Sequence, residues 1–400
     1  MNTARPEPDT GQAMLTDRLT ILLSGMVAGA PHQGGATWAV LQYLLGFRRL
    51  GHDAYLIEPV RPVSLRPDGV GLAESDNAAY FRRVVAEFGL EGHAALLLAD
   101  TQETVGLSYG ELLGVARRTD VLVNVSGMLA DAELTGPVPV RVYLDLDPAF
   151  VQLWHAAEGI DMRFDGHTHF ATVGQAIGQP GCDVPTCGRI WLPTLPPVAL
   201  DHWPVASAVV HDGLTTVANW RGYGSVEHRG VFYGQKAHSI RRFIDLPTRT
   251  REQFLPALAI HPGEARDLEA LATNGWELLD PAAVAGTPAD YRQFVRGSKA
   301  EFGVAKSGYV ESRCGWFSDR STCYLASGRP VIAQETGFSR VLPTGEGLFA
   351  FETTDDVLAA VDALNADYPH HAAAARALAE EYFDSVKVLP RLLRAVGVSP

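Results

Sequence analysis

Ser318, Arg320, Ser321 and Thr322 stand within the segment Gly315-Trp-Phe-Ser-Asp-Arg-Ser-Thr-Cys323, ahead of an apolar run. A serine that precedes such a run marks the start of a helix, where its hydroxyl accepts a backbone N–H. A helix start leaves further amides unpaired and carries partial positive charge, which suits a phosphate or diphosphate. Arg320 would add a guanidinium, and Ser321 and Thr322 two hydroxyls. The turn Gly328-Arg-Pro330 then leads into the apolar strand Pro330-Val-Ile-Ala333. A capped helix in any α/β protein has the same outline, so the pattern permits phosphate binding without requiring it.

Other residues could take part in the same chemistry. Arg221 ends a strand-to-loop segment, Thr215-Thr-Val-Ala-Asn-Trp-Arg-Gly222, and Lys236 follows it; converging, they would neutralise a diphosphate leaving group, and as surface charges they would do nothing. Gly34 and Gly35 lie in a Gly-rich loop where a strand meets a helix, and they either let a ligand approach the backbone or only permit the turn. The loop is not a G-x-G-x-x-G fingerprint, which disfavours a dinucleotide. His32, beside them, is a candidate general base or a solvated loop residue. Asp145 and Asp147 end the strand Val140 to Leu146, at the edge where ligands of parallel sheets bind. Asp147 is a candidate acceptor contact or base, and a metal held by the pair is the minority alternative. His167, His169, Cys182 and Cys187 could compose a zinc site or be unrelated side chains. Tyr291, Phe294 and Lys299, within Ala289 to Phe302, form either a wall for a nucleobase or part of a core.

These residues need a frame, and the chain supplies an alternating one. Leu19 to Leu23, Ala54 to Ile57, Asp120 to Ser126 and Val138 to Leu146 read as strands, with a helix over Ala36 to Leu50. After a Gly-, Pro- and Cys-rich passage at 171–204, strands are expected at Thr215 to Ala218, Leu255 to His261, Gly303 to Val310 and Pro330 to Ala333. Helices are expected at Ser321 to Ala326, Asp355 to Leu364 and, as one long Ala-rich element, His370 to Val396. Strands separated by helices of this length imply parallel sheets. Four hundred residues exceed one ordinary core, so two domains are expected. A net charge of −13 argues against a nucleic-acid footprint. No run approaches a membrane span. Met1 to Asp17 lacks the apolar core of a secretory signal and reads as a disordered leader. Four cysteines fit a reducing cytoplasm better than a disulfide framework.

Together these pieces resemble the GT-B class of glycosyltransferases over nearly the whole chain after Asp17. The second domain is most similar to the retaining, sucrose-synthase-like families. Ala326-Ser-Gly-Arg-Pro-Val331 matches the tail of their diphosphate-helix motif, and Gln334-Glu-Thr-Gly337 matches their donor-sugar loop. The two glutamates of their Glu-x₇-Glu motif are replaced here by Gly315 and Cys323. The resemblance implies two Rossmann-like domains: a leader at 1–17, an acceptor domain at 18–200, a nucleotide-sugar domain at 201–372, and a helix at 373–400 returning to the first domain. It implies donor diphosphate contacts at Gly34, Gly35, Arg221, Lys236, Ser318, Arg320, Ser321 and Thr322, and donor-sugar contacts at Glu335, Thr336 and Gly337. His32 or Asp147 would be the base if the reaction inverts. The expected activity is transfer of a hexose from a nucleotide-diphosphate sugar, of the UDP-glucose type, to a small acceptor such as a nucleoside. The nucleotide sugar is a co-substrate; no further cofactor, metal, nucleic acid or membrane partner is expected of a cytoplasmic monomer or homodimer. The alternatives are an epimerase or phosphorylase of this architecture and a non-catalytic sugar- or nucleotide-binding module. A phosphorylase of this kind needs a pyridoxal lysine, for which Lys299 and Lys306 are the positions to test.

Overall fold

The computed structural model describes residues 18–399; the leader expected at 1–17 lies outside them. The first domain is built on strands β1 (Thr20–Ser24), β2 (Asp53–Val60), β3 (Ala94–Leu98), β4 (Thr104–Gly106), β5 (Val121–Val125), β6 (Val140–Asp145), β7 (His169–Thr172) and β8 (Trp191–Pro193). They form one sheet in the order β4-β3-β2-β1-β5-β6-β7-β8, parallel except where β4 runs against β3. The continuous apolar runs of β1 and β5 follow from helices covering both faces.

The second domain holds β9 (His211–Asn219), the antiparallel hairpin of β10 (Val226–His228) and β11 (Val231–Tyr233), then β12 (Phe254–Ala259), β13 (Ser298–Gly303), β14 (Val331–Gln334) and β15 (Leu348–Phe351). Its five-stranded parallel sheet runs β12-β9-β13-β14-β15. In each sheet the strand order reverses beside the domain's first strand, at β1/β5 and at β9/β13. That reversal opens a crevice at the carboxyl ends of the strands. This is the architecture of two Rossmann-like domains that the sequence predicts.

Helix Gly34–Arg49 joins the domains, and both of its sides are buried. It packs against helices Pro288–Gly297, Asp319–Ala326 and Ser385–Ala395, so an apolar surface nearly all round is what its sequence must supply. Trp38 donates its indole N–H to the Pro288 carbonyl at 2.8 Å and meets Trp203 edge-on. Gly46 sits so close to the last helix that a Cβ there would lie 2.5 Å from Leu389 and 2.7 Å from Ser385.

Two expectations are corrected. The long C-terminal helix is broken into Tyr368–Leu378, a π segment at Ala379–Phe383 and Ser385–Ala395. At the break, Val198 of the first domain exchanges backbone hydrogen bonds with Phe383 and Ser385, and Asp384 pairs with Arg49 at 2.8 Å. These contacts pin the chain where it crosses back to the first domain. The strand expected over Gly303 to Val310 ends at Gly303, and Ser307–Ser312 is helical. Gly308 there accepts the Phe150 ring, which would lie 2.5 Å from any Cβ. Among the described residues no helix is long and apolar enough to cross a membrane.

Gly46→Val tests the returning helix. Overpacking of this kind costs about 1–3 kcal/mol, and a denaturant midpoint unchanged from wild type would show that the helix does not pack as described.

Candidate active site

The carboxyl edges of the two sheets face each other, and charged residues meet there. Asp145, at the end of β6, is fully buried and accepts bonds from Gln152 and Thr172, each at 2.8 Å, and from the Asp147 amide at 2.9 Å. Burial pushes its carboxyl up to about 6. Asp147 reaches across to the second domain, where Lys306 Nζ donates to its two oxygens at 3.0 and 3.1 Å and the Tyr309 hydroxyl also donates to it. Lys306 contacts the Tyr223 hydroxyl as well, with Nζ 3.9 Å from that ring's centre. Phe150, Trp154, Tyr223 and Tyr309 close edge-to-face around the group. Desolvation raises Asp147 well above the usual carboxylate range and lowers Lys306 to about 7. Both shifts disfavour the charged forms, and the contact between Lys306 and Asp147 opposes them.

The expected capped helix start is formed, and the charges around it have partners inside the protein. Ser318 caps helix Asp319–Ala326 by accepting the Arg320 amide. The Asp319 carboxyl faces the amides of Asp319 and Arg320, although burial raises its pKa overall. Arg320 donates through Nε to the fully buried Glu301 at 2.5 Å, and its own affinity for the proton rises against that charge. Ser321 and Thr322 are buried, the Thr322 hydroxyl donating to the Asp319 carbonyl at 2.7 Å. Lys236 is buried with its ammonium on the Val304 carbonyl. Burial first, and then the charge of Arg320, lower it to about 7.

The other expected contacts are dispersed. Arg221 does not converge with Lys236: it binds Glu264 at 2.5 Å in a surface network with Arg241 and Asp267. A Cβ at Gly34 would lie 2.1 Å from the Thr287 carbonyl oxygen, and one at Gly35 would lie 3.0 Å from the Tyr291 ring. Both glycines therefore serve the close approach of the domains. His32 is exposed, has φ +64°, and stands edge-on to Tyr80 at 5.4 Å. Thr336 is buried, donating to the Trp316 carbonyl at 2.5 Å, while its own carbonyl accepts the Gly315 amide. Glu335 accepts the Gly337 amide, and both line a cavity of about 410 Å³.

The two replaced glutamate positions have a steric explanation. A side chain at Gly315 would meet Gln175 and Ala176 of the first domain at about 3.0–3.2 Å, and Cys323 is buried against Gln42 of helix Gly34–Arg49. At both places the first domain stands directly against the segment. Tyr291 and Phe294 belong to the core, so they form no nucleobase wall, and Lys299 is bound to Glu252. His167 contacts Asn124, Cys182 the Ser312 carbonyl and Cys187 the Gln152 carbonyl; these residues do not assemble, and among the described residues no three His, Cys, Asp or Glu side chains form a metal-sized group. Sequence reasoning missed Lys306 and Tyr309 as partners of Asp147. No signal marked them, because both fall inside the strand that the sequence suggests over Gly303 to Val310.

No protein family and no curated protein matches the sequence. Solved structures do resemble the fold. A glycosyltransferase of Rickettsia africae aligns at TM-score 0.52 and 14% identity over 95% of this chain and 98% of its own. An alpha-glucosyltransferase in complex with UDP-glucose and DNA containing an abasic site aligns at 0.59 and 12%, over 95% and 99%. Anabaena HepE in complex with UDP-glucose aligns at 0.57 and 12%, over 94% and 99%. The likeness is one of fold, and it extends over both domains.

Two tests follow from the buried charges. Arg320→Ala leaves Glu301 without its counter-charge and should cost about 3–5 kcal/mol, most of it recovered in Arg320→Ala/Glu301→Gln; equal stability of the two variants would contradict the pairing. Lys236 is depressed to about 7 from 10.5, so between those values the unfolded chain binds more protons than the folded one. Stability should therefore rise as pH increases from 7 towards 10, and Lys236→Met should lessen that rise in thermal melts at pH 7 and 9. An unchanged slope would place Lys236 outside the core.

Proposed function

We propose that the chain is a glycosyltransferase that moves a hexose from a nucleotide-diphosphate sugar, of the UDP-glucose type, to a hydroxyl of a small acceptor such as a nucleoside or other specialised metabolite. The observation that carries this reading is the Asp147–Lys306–Tyr309 contact between the facing carboxyl edges of two parallel sheets. It is a proton-handling group at the place where such a fold brings two substrates together. The fold's likeness to proteins solved with UDP-glucose supports the donor class. The net charge of −13 favours a small acceptor over the DNA bound by the alpha-glucosyltransferase.

On this reading the donor lies along the carboxyl edge of the second sheet, between the first turn of helix Asp319–Ala326 and the Gln334–Gly337 loop. The acceptor hydroxyl is held from the first domain. Asp147 takes the hydroxyl proton as the oxygen bonds to the anomeric carbon, and the bond from that carbon to the diphosphate oxygen breaks. The nucleoside diphosphate departs with the bonding pair. The Lys306 ammonium balances the Asp147 carboxylate before the transfer and holds it in place. Since Arg320 and Lys236 are already partnered, their contribution to the leaving group comes through the positive end of the helix and the rigidity of the pairs. His32, at the lip of the first loop, is the other candidate base.

A non-catalytic sugar-nucleotide-binding module is the competing reading, favoured by the filled glutamate positions at Gly315 and Cys323. A nucleotide-release assay decides between them. Wild-type protein should show a thermal shift with UDP and release it from UDP-glucose. Asp147→Asn should keep the shift while losing about 10²–10⁴-fold in turnover. Binding without release over a broad acceptor panel would favour the module, and no shift with any nucleoside diphosphate would remove both readings.

A further inference from the structure

The cavity of about 410 Å³ beside Glu335 and Gly337 is lined by six charged side chains: Arg242, Arg313 and Arg340, with Glu311, Glu335 and Glu352. None of the six takes part in an ion pair within 4.0 Å among the described residues. This contrasts with Arg221 and Arg320, whose guanidinium groups each rest on a carboxylate. Opposite charges around one space that do not close on each other leave both guanidinium and carboxylate valences open to an occupant.

The frame around them is built. The cavity lies outside the carboxyl ends of β14 and β15, where Gln334 to Gly337 and Glu352 leave the sheet. Arg313 ends helix Ser307–Ser312 with φ +46°, a left-handed conformation that a side chain other than glycine, asparagine or aspartate rarely adopts. Gly337, at φ +100°, packs so closely on the Arg313 carbonyl that a Cβ would lie 2.9 Å from its oxygen. The backbone is thereby held in the conformation that places Arg313 on the cavity wall. The same helix carries Tyr309, which donates to Asp147.

We infer that this cavity binds a phosphorylated polyol, with its phosphate on the arginines and its hydroxyls on the glutamates. Guanidinium forks match phosphate oxygens, and carboxylates accept from sugar hydroxyls, so the mixed lining fits a sugar phosphate better than either a bare anion or a neutral sugar. If the glycosyl-transfer reading holds, on which this last step rests, Glu335 and Gly337 place the occupant against the donor hexose.

Isothermal titration calorimetry with glucose 6-phosphate, glucose and inorganic phosphate tests the site. Wild-type protein should bind glucose 6-phosphate more tightly than either of the other two. Arg313→Gly/Arg340→Ala, in which glycine suits the left-handed backbone, should weaken that binding by about tenfold or more. The same double variant should retain UDP binding, which reports an intact fold. No binding of glucose 6-phosphate to wild type, or unchanged affinity in the double variant, overturns the inference. Sugar-phosphate binding by a protein that takes up no nucleotide would leave the cavity assignment standing and remove the glycosyl-transfer reading instead.

Discussion

A carboxylate and an ammonium drawn partly out of water on opposite sides of a domain boundary recover much of that cost by meeting. Asp147 and Lys306 meet in this way, and much of the surrounding structure serves the encounter. Asp147 is held at the end of β6 by its amide on Asp145, and Asp145 is held in turn by Gln152 and Thr172. Lys306 leaves the end of β13 through a short irregular segment, and helix Ser307–Ser312 sets Tyr309 on the same carboxylate. Aromatic rings from both domains shield the group, leaving each of the two charged side chains 21% exposed. One ion pair thus ties the two domains together at the facing sheet edges.

Helix Gly34–Arg49 provides the opposite wall. Its contacts with three helices of the later chain need glycines at 34, 35 and 46, each at a point of close approach. This packing also explains why the segment 315–323 departs from the pattern it resembles. Gly315 lies under the loop at Gln175, and Cys323 lies against Gln42. The charges of the cradle are settled internally, with Arg320 on Glu301 and Lys236 beneath Val304. The first helical turn thus offers a preorganised dipole, while the unpaired arginines gather further along the same sheet edge, at the cavity beside Glu335.

Features set by local physics were legible in the sequence. The apolar runs of β1, β5 and β6, the helix after the Gly-rich loop, and the Ser318 cap all depend on neighbours in the chain. What was not legible depends on residues far apart. Nothing near Asp384 announces a helix break, because the cause is Val198 and Arg49 in the other domain. Beyond Val304 the chain leaves the sheet, and Ala305, Tyr309 and Val310 bury against Phe150 and the hairpin β10–β11. Asp147 stood out by its place after a strand, whereas its partner lies 159 residues away. Gly34 and Gly35 were compatible with a ligand's approach or with a simple turn, and nothing nearby announced Thr287 and Tyr291 as the approaching bodies.

The central claim is that donor and acceptor meet between the two carboxyl edges, at Asp147. A crystal structure of the protein with UDP-glucose bound tests it most directly. The account predicts the diphosphate near the start of helix Asp319–Ala326, the hexose beside Glu335, and its anomeric carbon open to an oxygen that can also reach the Asp147 carboxylate. Nucleotide density on any other surface, with the Asp147–Lys306 contact undisturbed and remote from it, would contradict the account.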